Sequence, residues 1–326
     1  MPEIRKDIKN ILVVRNDRFG EFLLNIPAFR ALKETYPQAK LIAAVNPYVK
    51  ELAVCIPYID EILEWPAGDH DFLEKFDLIL RLKERNIDAV LILNPTRQWH
   101  LISYFAGIPI RAGYDRKMGF LLTDKIKDDK NLGARHEVYS NLEIAGLIGA
   151  YTEDKTLSIN IEPKEADGIL RKFKVDPEDT LFAVHPWTSD PVKEWPLDNF
   201  IGLVKKINSY ANGKILIIGR REEVHRSFPI FGWMNDVVID FTGRTSLREL
   251  GALLKRCKFL VSGDSGPVHL ACTVGTPVLA IFRNDIAGKG PKRWGPWGDK
   301  NVVVEGATLS AITVDEVFEC LRKSFL

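Results

Sequence analysis

The stretch Asp264-Ser265-Gly266-Pro267-Val268-His269 has the make-up of an anion-binding turn. It follows the apolar run Phe259–Val261 and precedes the apolar helical pattern Val268–Val274, so a strand is expected to pass through small residues into a helix with Pro267 near its first turn. Such a helix start offers unpaired backbone N–H groups at the positive end of a dipole, which suits a phosphate. The alternative is that Asp264 or Ser265 only caps its own helix. Thr188, Ser189 and Lys193 follow another predicted strand, Leu181–His185. Hydroxyls there can donate to phosphate oxygens and an ammonium can offset charge growing on a leaving group, although a loop lysine is ordinarily a solvated surface charge. Glu223 lies just after a third predicted strand, where a carboxylate can accept paired hydrogen bonds from a ribose diol, or simply balance Arg220 and Arg221. His269, on the first turn of its helix, either touches a phosphate or nucleoside or is packed. Glu21 closes the turn Arg15-Asn16-Asp17-Arg18-Phe19-Gly20-Glu21 after the first strand; it can take a proton from a substrate hydroxyl, or serve the helix dipole. There is no HExxH, no His/Cys/Asp cluster at ligand spacing, no Gly-x-Ser-x-Gly elbow and no histidine at a recognisable offset from Ser265, which disfavours metal-assisted and serine-hydrolase chemistry.

The elements that must hold these residues alternate along the whole chain. Strands are expected at Ile11–Val14, Leu41–Val45, Glu61–Leu63, Ala89–Leu93 and Ile110–Ala112, then at Leu181–His185, Lys214–Ile218, Val237–Ile239, Phe259–Val261 and Val278–Phe282. Between them run helical patterns: Glu21–Thr35, Phe72–Arg85, Glu137–Leu147, Leu197–Ser209, Leu247–Lys255 and Val268–Val274. Pro27 should kink the first of these or delay its regular start. The segments Asn94 to His100 and Arg111 to Lys117 read as polar loops. Two sets of βαβ units follow, each giving a parallel sheet, with a break around Tyr151 to Lys164. In such sheets ligands bind beyond the carboxyl ends of the strands, where the Glu21 and Asp264 turns both lie. Neither turn is a GxGxxG and no GxxxxGK[ST] occurs, so dinucleotide and P-loop readings lose support. Val314 to Leu326 reads as an amphipathic helix whose pattern leaves its packing partner open, the first domain included.

At 326 residues the chain suits two domains, and 46% hydrophobic with 27% charged residues marks a globular protein. A net charge of +1 gives no reason to expect a nucleic-acid partner. Cys55, Cys257, Cys272 and Cys320 are scattered, as for buried thiols in a reducing compartment. The N-terminus has no apolar leader core and no run approaches membrane-spanning length, so a cytoplasmic location is expected.

Taken together, these segments resemble glycosyltransferase family 9, the heptosyltransferases of lipopolysaccharide core assembly. The resemblance rests on Ile11–Arg15, Gly20-Glu21, Pro27–Lys33 and Tyr36-Pro37, on Gly113-Tyr114-Asp115 and His136-Glu137-Val138 with Asn141-Leu142, and on four stretches of the second half: His185-Pro186, Lys193–Leu197, Phe241–Leu247 and Asp264–Ala271. It implies an α/β GT-B architecture of two Rossmann-like doubly wound parallel-sheet domains facing a central cleft, an acceptor-binding domain at 1–160 and a nucleotide-sugar domain at 161–326. It implies inverting, metal-independent transfer of heptose from ADP-heptose to a lipopolysaccharide core or related glycolipid, with the nucleotide-sugar as co-substrate and no other cofactor. The alternatives are a nucleotide-sugar epimerase of GT-B architecture and a nucleotide-sugar-binding protein without transfer. The implied place of work is the cytoplasm, at the inner face of the inner membrane. Carried onto this chain, the base is Glu21, one methylene longer than the family's aspartate. Donor contacts fall on Thr188, Ser189, Lys193, Glu223, Thr245, Asp264, Ser265, Gly266 and His269, and acceptor contacts on Arg15, Asp17, Arg18 and Arg97. Two further departures are Trp187 and Arg283 where the family usually has glycine: the ring either stacks on the donor or restricts backbone approach, and the arginine offers another phosphate contact.

Overall fold

A computed structural model describes residues 5, 7–176, 178–231 and 237–326, with only the backbone of 228–231. Residues 1–4 and 6, part of the N-terminus read above as lacking a leader core, lie outside the described residues. The chain divides into two compact units, Met1–Leu157 and Ser158–Leu326.

Unit 1 carries β1 (Asn10–Val14), β2 (Lys40–Val45), β3 (Glu61–Glu64), β4 (Ala89–Ile92), β5 (Ile110–Asp115) and β6 (Asp124–Lys127) in the order β3-β2-β1-β4-β5-β6. Every pairing is parallel. β1, β2 and β4 are covered by helices on both faces, which is why they read as unbroken apolar runs. On one face Leu12, Val14, Ile42, Val90 and Ile92 pack with Leu78, Trp99 and Ile102 from helices Phe72–Glu84 and Arg97–Phe105.

Unit 2 repeats the arrangement with β7 (Leu181–His185), β8 (Lys214–Ile217), β9 (Val238–Asp240), β10 (Cys257–Gly263), β11 (Val278–Arg283) and β12 (Val302–Gly306), ordered β12-β11-β10-β7-β8-β9 and parallel throughout. Both units therefore have the doubly wound order 3-2-1-4-5-6, and the strand order reverses between β1 and β4 and between β7 and β10. The final helix, Val314–Phe325, lies in the core of unit 2: Val317, Phe318 and Leu321 join that cluster, and Trp195 Nε1 donates to Ile312 O just before it (2.9 Å).

Three expectations change. The predicted helix Glu21–Thr35 is two helices, Phe19–Leu23 and Ile26–Thr35, with Pro27 in the opening turn of the second. Between them Asn25 donates from Nδ2 to the carbonyls of Glu21 (2.6 Å) and Phe22 (3.0 Å), so the first helix ends on a side chain. The two segments read as polar loops are only partly so: Thr96 accepts a hydrogen bond from the Trp99 amide and caps helix Arg97–Phe105, and Arg111 to Asp115 belong to β5. Edge strands β6 and β12 extend both sheets beyond the ten predicted strands.

Trp187 is 1% exposed and packs within the unit 2 core, so it offers no face for a ligand to stack on. It restricts backbone approach instead: a Cβ on Gly219 would lie 2.5 Å from its ring. Gly219→Ala should cost about 1–3 kcal/mol by overpacking a rigid indole. Trp187→Leu in the same chain should recover part of that loss in a denaturant double-mutant cycle. Additive effects of the two substitutions would contradict the contact.

Candidate active site

The first strand exit of unit 1 is built around a buried charge. Arg15, 4% exposed, bonds from Nε to Asp17 (2.8 Å) and from NH1 to the Leu93 carbonyl beyond β4 (3.3 Å), and lies 3.6 Å from Glu137. Glu137 is itself 1% exposed and meets Lys130 at 3.3 Å. A buried guanidinium must be compensated on several sides, and here three chain segments supply the partners. Arg15 and Asp17, expected to hold the acceptor, thus bind each other.

Glu21 sits one helical turn further on, partly open, with Arg18 at 4.0 Å. Burial holds its carboxyl above the usual glutamate range; the Asp17 charge adds to the rise, while Arg15 and Arg18 oppose it. Tyr48 closes the turn, accepting from the Phe19 amide (3.1 Å) and donating to the Asp17 carbonyl (3.3 Å). A carboxylate with a raised pKa and some access to solvent is the state a general base needs near neutral pH. Arg97 is exposed at the mouth of a cleft beside Asn16 and Lys117, and Glu21 is not among the residues lining that cleft.

In unit 2 Lys193, Asp264, Ser265 and Thr188 of the expected donor residues gather where β7 and β10 adjoin. Lys193 Nζ pairs with Asp264 Oδ2 at 2.5 Å. Gly263 is what lets the Lys193 loop lie down: a Cβ there would meet Thr188 Cγ2 at 3.1 Å and the Lys193 carbonyl at 3.3 Å. Ser265 is the N-cap residue of helix Gly266–Val274, yet its side chain makes no capping bond. Its hydroxyl instead meets Ser262 Oγ (2.8 Å) and His185 Nδ1 (3.1 Å), and Ser262 also meets His185 Nδ1 (3.1 Å). Complete burial, with a smaller contribution from Arg220, pushes the His185 imidazole down to about 3, so the ring is neutral at physiological pH. Sequence spacing hid this histidine because it lies 80 residues from Ser265; the parallel register opposes Ser262 and His185.

The remaining donor candidates are placed as follows. Thr188 is buried, with its hydroxyl donating to the Asp190 carbonyl (2.6 Å) and its amide to Glu194 (3.2 Å), while Ser189 is exposed. Glu223 is buried and accepts from Arg220 on both oxygens, from the amide at 2.7 Å and from the guanidinium at 2.8 and 3.1 Å. Its carboxylate therefore folds back on the β8 exit rather than standing open to a diol. Thr245 is half-buried beside Ser246, the N-cap of helix Leu247–Arg256, and His269 is 5% exposed. Arg283 grips Asp285 with two nitrogens (2.7 and 2.6 Å) and donates to the Val192 carbonyl (3.1 Å), tying the β11 exit to the Lys193 loop. Among the described residues no group of three or more His, Cys, Asp or Glu side chains is placed to hold a metal ion.

A family model described as glycosyltransferase family 9 (heptosyltransferase) matches residues 76–319. Lipopolysaccharide heptosyltransferase 2 of Salmonella typhimurium is 25% identical, over 83% of this chain and 82% of its own. Among solved structures, a glycosyl transferase family 9 protein from Veillonella parvula gives a TM-score of 0.85 at 20% identity, covering 98% of this chain and 97% of that one. E. coli ADP-heptose lps heptosyltransferase II gives 0.84 at 22% identity, covering 97% and 98%. Two doubly wound parallel units of this order make the GT-B class. The chain belongs to glycosyltransferase family 9, and it is a glycosyltransferase.

The charges around Glu21 give a signed prediction. Asp17 raises the Glu21 pKa, so Asp17→Asn should lower it and leave Arg15 less neutralised, which acts in the same direction. If Glu21 must be ionised for turnover, the acid limb of the kcat/KM profile should move to lower pH in that variant. A limb that stays fixed or moves upward would contradict the assignment.

Proposed function

We propose that this chain transfers heptose from ADP-heptose to a hydroxyl of a lipopolysaccharide core or related glycolipid, with inversion and without a metal. The observation that carries the reading is the carboxyl of Glu21, partly open at the β1 exit and held above its ordinary pKa beside a compensated arginine. The names of the relatives supply the sugar, the nucleotide and the acceptor class.

In this mechanism the acceptor oxygen attacks the anomeric carbon as its proton passes to Glu21. The bond from that carbon to the diphosphate oxygen breaks on the opposite face, and ADP leaves with the electron pair. Lys193 offsets the charge on the departing diphosphate, helped by Ser189 and the Gly266 amide. Asp264, which holds Lys193 at 2.5 Å, must yield that ammonium to the diphosphate and turns to sugar hydroxyls. The oxocarbenium character of the transition state favours carboxylates near the ring.

No helix among the described residues is long and apolar enough to cross a membrane. A glycolipid acceptor nevertheless implies work at a membrane surface, which we place at the cytoplasmic face of the inner membrane. Phe72, Leu73 and Phe76 on helix Phe72–Glu84, with Tyr104 and Phe105 on the helix packed beside it, are exposed and suit peripheral contact there.

Glu21→Gln keeps the size and removes the base. Turnover should fall by about 10²–10⁴-fold, with ADP-heptose affinity by calorimetry unchanged. Near-normal turnover would remove Glu21 from the mechanism. Lys193→Ala should instead weaken binding of both ADP and ADP-heptose, and equal nucleotide affinity in variant and wild type would refute its role.

A further inference from the structure

Lys193 has to change partners in the mechanism above. Its ammonium is paired with Asp264 at 2.5 Å and must pass to the departing diphosphate. That exchange removes the side-chain tie between its loop and the β10 exit. The loop has no apolar anchor to fall back on: Thr188 and Trp195 are buried, no side chain between them is, and Val192 is 56% exposed. Whatever holds the backbone of Lys193 in place is therefore polar, and it acts on the residues either side.

On one side Arg283, the last residue of β11, donates from NH1 to the Val192 carbonyl (3.1 Å). Its Nε and NH2 bond to the two oxygens of Asp285 (2.7 and 2.6 Å), which fixes the plane of the guanidinium and aims the remaining nitrogen at the loop. Lys289, on the same side, lies 3.6 Å from Asp190. On the other side Arg226, from helix Val224–Phe231, bonds to both oxygens of Glu194 (3.0 and 2.6 Å). Glu194 in turn accepts from the Thr188 amide (3.2 Å). β11 and β8, which precede the two arginines' segments, lie on opposite sides of the β10–β7 pair, so the loop after β7 is gripped from two directions. Residues 192 and 194 are held, and neither grip uses the Lys193 ammonium. A loop without these grips would have to be ordered as the nucleotide binds, at a cost in affinity.

We propose that Arg283 and Arg226 are positioning residues for the diphosphate: they pin the backbone on either side of Lys193, so that its ammonium can leave Asp264 for the diphosphate while the loop stays in place. The inference rests on the diphosphate role given to Lys193 above. It assigns Arg283 to the loop rather than to a phosphate contact of its own, since all three of its nitrogens are engaged.

The test is calorimetry of ADP binding to the full chain in Arg283→Met, Arg226→Met and Lys193→Ala, and in each arginine variant combined with Lys193→Ala. Steady-state kinetics and hydrogen exchange over residues 188–195 accompany it. Each arginine variant should bind ADP about three- to tenfold more weakly, the cost of ordering a side chain and its loop on binding. KM for ADP-heptose should rise, with KM for the acceptor and thermal unfolding close to wild type. The Lys193 and Glu194 amides, bonded to the Asp190 and Pro191 carbonyls (2.8 and 3.1 Å), should exchange faster in both variants. In the Lys193→Ala chain neither arginine substitution should weaken ADP further, because the pinned backbone then has no ammonium to place. A loss of the same size there would make the arginine a nucleotide contact in its own right. That result, unchanged ADP affinity in either single arginine variant, or loop amides as slow to exchange as in the wild type would overturn the proposal. Failure of the underlying reading shows separately: unchanged ADP affinity in Lys193→Ala itself would refute the diphosphate role of Lys193 and take the proposal with it.

Discussion

The Arg15 guanidinium is the constraint on which the first unit depends. A cation removed almost wholly from water is tolerated only when every side of it is answered. The answers come from the turn after β1, from the end of β4 and from helix Glu137–Gly146. One side chain thereby locks together the elements that flank the reversal of strand order. It also sets the local field, since Arg15 lowers the Glu21 pKa that burial and Asp17 raise. The balance leaves a carboxylate that is available without being inert. Unit 2 solves the equivalent position differently. Its bed is a neutral imidazole bonded to two serines, and the charges nearby are paired, Lys193 with Asp264 and Arg220 with Glu223. On the proposed function, a neutral bed suits a cradle that accepts and then releases a diphosphate.

Much of this was legible in the sequence, for reasons that differ by element. β1, β2, β4, β7, β10 and β11 announce themselves as apolar runs because both faces are covered. β6 reads Asp-Lys-Ile-Lys and is an edge strand, so nothing apolar marks it. Helix Arg97–Phe105 carries a usable signal, Thr96 as cap with Trp99, Ile102 and Ala106 on one buried side, which the polar opening residues obscured. The break before Pro27 follows from proline chemistry, whereas Asn25 ends the first helix by local side-chain bonds to carbonyls three and four residues back, which the apolar pattern does not mark.

The candidate site was legible in residue type more than in partnership. Lys193 and Asp264 each stand out by residue type and place, but a separation of 71 residues hides that they pair. The His185–Ser265 contact depends on β7 and β10 being neighbours, which only the sheet order supplies. The two residues that depart from glycine are absorbed in opposite ways. Trp187 goes inward, and Gly219 makes room for its ring. Arg283 stays near the surface and spends its donors on Asp285 and a loop carbonyl.

The most direct measurement of the central claim is to incubate the chain with ADP-heptose in the presence of a chelator, with and without a lipopolysaccharide-core acceptor, and to quantify nucleotide and sugar products together. The account predicts ADP and glycosylated acceptor in equal amounts, with neither formed when the acceptor is left out. An isomerised nucleotide-sugar in the absence of acceptor, or donor that binds and is never consumed, would contradict it.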